Sequence, residues 1–210
     1  MAKTEHPMQA LRDFIPENSF DKVVHYLHFY KVELTITRKR KTLLGVYRNA
    51  TREKNHRISV NGNLNQYDFL VTLLHELAHL LAFEKYGPRI AAHGKEWKSV
   101  YAGILAIFLE EKIFPGDIEQ ALYRSLKNPG ASACSEVELG RVLKKYDAPA
   151  KGILIEALEN GRSFFTPDGK KFLKLKKIRS RYLCKEIISG KQYSFSALYE
   201  VMPEKENTNS

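Results

Sequence analysis

Between Leu70 and Phe83 nearly every side chain is apolar, and the exceptions fall in a line. Leu70, Val71, Leu73, Leu74, Leu77, Ala78, Leu80, Leu81, Ala82 and Phe83 are hydrophobic; Thr72, His75, Glu76 and His79 are not. Their spacing of i, i+3, i+4 and i+7 places the four on one stripe of a helix that is otherwise apolar all round, the mark of a buried helix. The pattern predicts a helix over 66–86, with Asn63 or Asn65 as its cap and Gly87-Pro88 as its stop.

The remaining pattern frames this helix. Leu11, Phe14, Phe20, Val23, Val24, Leu27 and Phe29 fit helices over about 9–30, interrupted near Pro16. Alternation over 32–37, 43–48 and 56–62 predicts three strands, with the basic run 38–41 as a turn and the second strand returning beside the first. A small antiparallel sheet is the expectation. A helix starting near His93 carries Trp97, Val100, Tyr101, Ile104, Leu105 and Phe108, and a shorter one covers 117–127. Lys127-Asn128-Pro129-Gly130 breaks the pattern, and 135–146 resumes a helix with Ser135 and Glu138 in capping-box spacing. From Gly161 onward the chain turns to aromatics, lysines and the turn signals Pro167-Asp168-Gly169 and Ser189-Gly190, which predicts a small β module. The organisation read from this is α+β: a domain over 5–128, a helical connector over 129–158, a basic β module over 159–202 and a disordered tail over 203–210.

Composition narrows the setting. No stretch approaches the roughly 20 apolar residues that span a bilayer, and no apolar segment follows the N-terminal charges, so no membrane span or secretory signal is expected. A cytoplasmic protein follows, nucleoid-associated if its charge is used there. That charge is +10, with a pI near 9.5, which suits a polyanionic partner, nucleic acid above all. Ten lysines and arginines against Asp168 and Glu186 give residues 162–193 +8 of the total. Lys174, Lys176, Lys177, Arg179 and Arg181 are the candidate nucleic-acid contacts, with Lys174 and Lys176 expected on one strand face opposite Leu173 and Leu175. The bland alternative is a solvated face guarding an edge strand. Arg38 to Lys41, with Arg48, Arg52, Lys54 and Arg57, forms a second basic cluster. Cys134 and Cys184 are too few for a zinc ribbon without histidine help, and reduced, partly buried thiols are expected.

The polar stripe carries the chemistry. Residues four apart on a helix hold their side chains about 5–6 Å apart, so His75 and His79 can converge on one zinc with bonds of about 2.0–2.1 Å. Glu76 is rotated about 100° from His75. It misses the metal and is left to act on water as a base. A catalytic zinc takes three protein ligands and keeps one position open. His93, beyond the Gly87-Pro88 reversal, is the best third ligand; Glu96, Glu110 and Glu111 compete with it. A histidine six residues past the second ligand would complete a compact pattern, but Lys85 stands there.

HELAH at 75–79, HGKEW at 93–97, LGVYR at 44–48 and ISVNGNL at 58–64 occur in this order, and the set resembles the SprT-like zinc metallopeptidases. That family includes the Spartan proteases, which digest proteins crosslinked to DNA. The resemblance spans about 10–125. It implies a zincin-like fold, one Zn2+ ion held by His75, His79 and His93, and Glu76 as catalytic base. Trp97 becomes a packing residue that fixes His93. A protein substrate, presented on DNA, is implied as well. Many relatives carry a C-terminal zinc ribbon; here the corresponding region holds only Cys184, so a ribbon-like module without its cysteine cluster is expected. A nucleic-acid-associated binding protein with a structural zinc is the alternative reading, and a zinc hydrolase of non-peptide substrates is a third.

Overall fold

Ile58 and Val60 are fully buried while Arg57 and Ser59, which alternate with them, are half-exposed, and this strand organises the sheet of the first unit. In a computed structural model of the protein, residues 8–40, 43–126, 137–149 and 151–204 are described, and they divide into Met1–Asp147 and Ala148–Ser210. After short 3-10 turns on either side of Pro16, helix α1 spans Phe20–Phe29. Strands β1 (Glu33–Thr37), β2 (Gly45–Arg48) and β3 (Arg57–Asn61) follow.

The sheet is mixed, not antiparallel, and its order is β1-β3-β2. Strand β1 runs parallel to β3, from Glu33 opposite Arg57 to Thr37 opposite Asn61. Strand β2 is antiparallel to β3, from Gly45 opposite Val60 to Arg48 opposite Arg57. The expected return of β2 beside β1 does not occur, because β3 lies between them. The most buried strand takes the centre, where both of its edges are paired, and the two half-buried strands flank it. Residues 41–42 lie outside the described residues, and Arg40 of the basic run is pinned against β3. Its guanidinium donates to Asn61 Oδ1 at 2.7 Å, Ser59 Oγ at 3.0 Å and the Leu44 carbonyl at 3.0 Å. Arg40 is therefore part of the scaffold and withdrawn from the basic surface cluster.

Helix α2 spans Gln66–Tyr86, with the expected bounds. Asn65 caps it, accepting from the backbone N–H groups of Tyr67 and Asp68 at 3.1 and 3.0 Å. Gly87 ends it at φ 77, in the left-handed region where glycine is unstrained, with its N–H on the Phe83 carbonyl. Twelve of its residues are buried, including Thr72, His75 and Glu76. Helices α3 (Lys95–Glu110), α4 (Gly116–Leu126) and α5 (Val137–Leu143) complete the unit. Leu105, Phe108, Ile118, Leu122 and Leu139 join the α2 residues in one core. Asn65 Nδ2 also donates to the Leu143 carbonyl and Asp147 Oδ1, so the end of α5 is tied to the start of α2. Ser135 of the expected capping box and Cys134 lie outside the described residues.

The second unit is a six-stranded antiparallel sheet of order β4-β9-β5-β6-β7-β8. Its strands are β4 (Ile153–Leu154), β5 (Ser163–Phe165), β6 (Lys171–Ile178), β7 (Arg181–Glu186), β8 (Gln192–Ser196) and β9 (Glu200–Pro203). Phe164 and Phe172 stack at 5.6 Å, and Phe195 meets the edges of both. The segment expected as a separate connector, 129–158, is split. Helix α5 belongs with the first unit, whereas 148–158 supplies an edge strand of the second. Two residues of the expected tail are ordered: Pro203 pairs with Phe164, and Glu204 bonds to Lys171 at 2.6 Å and to the Ser163 carbonyl, while 205–210 lie outside the described residues.

Cys184 is fully buried on β7, and burial pushes its thiol up to about 11. At neutral pH it is protonated in the folded chain, and a protonated thiol is a poor nucleophile. In a Cys134→Ser variant, the native protein at pH 8 should react with a thiol reagent about two orders of magnitude more slowly than the urea-unfolded chain. Equal rates by stopped-flow absorbance would show the thiol to be accessible and ionised.

Candidate metal centre

The stripe on α2 meets the start of α3 through a turn that the backbone itself marks. His93 has φ 62, a left-handed conformation uncommon for a residue with a Cβ, and Gly94 caps α3 immediately after it. His93 thus precedes the helix, one residue ahead of its cap. Gly94 is hemmed in, since a Cβ there would meet the Ala91 Cβ and carbonyl at 3.1 Å. The turn brings His93 Nε2 to 3.0 Å from His79 Nε2 and 3.2 Å from His75 Nε2. Among the described residues, His75, His79 and His93 are the group able to hold a metal ion. Glu96, Glu110 and Glu111 are not part of it, and Glu111 pairs with Lys22 instead.

The three rings fit a metal better than they fit one another. A neutral imidazole has one N–H, so a proton on His93 Nε2 cannot satisfy two facing lone pairs at once. Ligands about 2.0–2.1 Å from a tetrahedral ion lie about 3.3 Å apart, close to the observed spacing. Burial lowers His75 to about 3, with His79 and His93 adding to the effect. Burial and His93 lower His79 to about 4, and burial lowers His93. All three are thereby neutral at physiological pH, the form that binds metal. The rings share Trp97 as a wall: it lies 4.7, 5.2 and 4.6 Å from His75, His79 and His93. Trp97 is 1% exposed and stacks on Tyr101 at 4.9 Å. It touches all three histidines, where the sequence assigned it to His93 alone.

Glu76 is 6% exposed, and burial lifts its carboxyl to about 7 against the opposing pull of the Tyr47 backbone N–H and the Arg40 charge. Strand β2 passes directly over it. A Cβ on Gly45 would sit 2.5 Å from Glu76 Oε1 and 2.7 Å from Cγ, so only glycine lets the strand approach this closely. A shallow recess beside the triad is lined by Tyr47, His79, Ala82, Phe83, Ile90 and Trp97, among others.

The SprT-like family's sequence model matches residues 10–115, a span that contains all four of these residues. The chain belongs to the SprT-like family. Protein SprT of Pseudomonas putida is 51% identical over 41 residues, which is 19% of this chain and 25% of that protein. Protein SprT of Pseudomonas entomophila is 49% identical over 41 residues, with the same shares. That of Pseudomonas aeruginosa is 47% identical over 36 residues, 17% of this chain and 22% of the relative. The match thus spans about a quarter of these relatives' length. No solved structure matches the chain significantly.

The predicted nucleic-acid contacts of this SprT-like chain, all on its second unit, are not equivalent. Lys174 is 2% exposed, and its ammonium donates to the carbonyls of Ile155, at 2.8 Å, and Leu158. It also sits 3.9 Å from the centre of the Tyr182 ring. The expectation that Lys174 shares a solvent face with Lys176 is wrong: Lys174 follows the regular alternation inward with Phe172, and the register shift between Lys174 and Lys176 turns Lys176 outward. Lys176, Lys177, Arg179 and Arg181 are exposed, with Arg179 at φ 54 in the β6–β7 turn. Arg181 is partly engaged, donating to Ser194 Oγ and to its carbonyl.

Gly45, Tyr47 and His56 were absent from the residues the sequence nominated, although the first two lie within the LGVYR stretch. The purified protein should bind one equivalent of Zn2+ or Co2+ per chain. His79→Ala and His93→Ala should each reduce this below half an equivalent by metal analysis after dialysis. Full retention by both would break the triad.

Proposed function

We propose that this chain is a zinc-dependent peptidase that acts on proteins associated with DNA. The observation that carries the reading is the meeting of His75, His79 and His93 at one point while Glu76 is buried beside them on the same helix. Membership of the SprT-like family supports it, as does a net charge of +10.

His75, His79 and His93 would hold the ion through Nε2. Zinc, when bound, supplies Lewis acidity toward a scissile carbonyl and makes water easier to deprotonate. The residues do the rest. The Glu76 carboxyl, lifted to about 7, is poised to take a proton from water and to return it to the leaving amine. The Tyr47 backbone N–H and the close approach of Gly45 restrict where that carboxylate can point. Trp97 and Tyr101 keep bulk water away from the inner side of the histidines. In the second unit, the exposed Lys176, Lys177 and Arg179 offer sequence-independent contacts to phosphate.

Glu76→Gln should retain one equivalent of zinc and lose about 10²–10⁴-fold in casein digestion, the range for a general base. Digestion at the wild-type rate would end the peptidase reading and leave a binding protein with a structural metal. Replacing Lys176, Lys177 and Arg179 together with glutamate should weaken binding of single-stranded DNA. The slope of log affinity against log salt should become shallower by about 2. Unchanged fluorescence anisotropy would remove nucleic acid from the proposal while leaving the peptidase intact.

A further inference from the structure

The side of the metal centre away from Trp97's partner Tyr101 is occupied by residues that hydrolysis itself does not call on. The Tyr47 ring lies parallel to His79, 2° between planes and 6.4 Å between centroids. The Tyr47 hydroxyl is 2.9 Å from His56 Nδ1, and the Ala50 backbone N–H donates to the same nitrogen at 3.1 Å. That second bond settles the tautomer. A backbone N–H can only donate, so Nδ1 carries a lone pair, the Tyr47 O–H donates to it, and the ring proton of His56 is on Nε2. Nε2 lies 3.2 Å from Glu84 Oε1, on α2 beyond His79. Phe83 meets the His56 ring edge-on at 5.8 Å. His56 is 7% exposed, so the middle of this chain is shielded, between a half-buried Tyr47 and an exposed Glu84.

We propose that Tyr47 is a positioning residue for the metal centre: its ring, pinned through His56 to Glu84, sets the plane in which His79 presents Nε2. The inference rests on His75, His79 and His93 being metal ligands. The same residue's backbone N–H reaches Glu76, so β2 couples the orientation of a ligand to that of the carboxylate. Ring orientation matters because an imidazole binds along its in-plane lone pair, and groups that orient ligands typically change metal affinity by about 10–100-fold when removed. A side chain that only filled space would alter stability and leave affinity unchanged.

The test is Co2+ binding by the full chain, measured by competition with a chelating dye and by the visible absorption of the bound ion, beside the melting temperature of the metal-free protein. Neither optical readout needs peptide cleavage. Tyr47→Leu removes the stacked ring and should weaken Co2+ binding by about tenfold or more, with an altered visible spectrum. Tyr47→Phe keeps the ring but cuts it from His56, and should weaken binding by about threefold. Tyr47→Phe loses only a hydroxyl and decides the matter if Tyr47→Leu does not fold. Wild-type affinity and spectrum in the folded variants would overturn the positioning role. Failure of the unsubstituted chain to bind Co2+ would remove the metal reading and this role with it.

Discussion

A helix buried along most of its length leaves little water for its polar side chains, and α2 buries Thr72, His75 and Glu76 and half-buries His79. Desolvation disfavours charge on the three of these that ionise, His75, Glu76 and His79. The imidazoles respond by staying neutral and the carboxyl by rising to about 7. Buried polar groups of this kind persist where partners are supplied. Here His93 arrives from the turn before α3, and the Tyr47 backbone reaches Glu76 from the sheet. The same desolvation that costs stability leaves the donor atoms in the protonation states that metal binding and base catalysis need.

The mixed sheet serves this arrangement. Had β2 paired with β1, its far edge would not lie over α2. With β3 in the centre, β2 becomes the strand that crosses Glu76 at Gly45 and stacks Tyr47 on His79. Arg40 stabilises the sheet by bridging Leu44, Ser59 and Asn61. A guanidinium suits the task because its donors lie in a fixed fork that reaches several acceptors at once.

The second unit uses lysine in two ways. Lys174 is interior, its ammonium shared between two carbonyls and the Tyr182 ring. Lys176 and Lys177, two and three residues on, are exposed. A single register shift in β6 separates these fates, and no pattern of charge along the chain announces it.

The α2 helix, its cap at Asn65, its stop at Gly87 and the likeness of HELAH and HGKEW to the SprT-like family were legible because each rests on local spacing. A 3.6-residue period aligns Thr72, His75, Glu76 and His79 whatever surrounds them, and a glycine needs no partner to adopt φ 77. Strand order, the inward turn of Lys174, the use of Arg40 as scaffold and the Tyr47–His56–Glu84 chain were not legible. Each depends on which distant segments pack together: the burial of Ile58 and Val60 goes with β3 at the centre of its sheet, and the carbonyls of Ile155 and Leu158 with the Tyr182 ring take up the Lys174 ammonium. The sequence by itself determined that His75, Glu76 and His79 share one stripe of a buried helix, because helical periodicity is a local property. Only the tertiary structure decided how those side chains are aimed, because aim depends on neighbours that no spacing along the chain encodes.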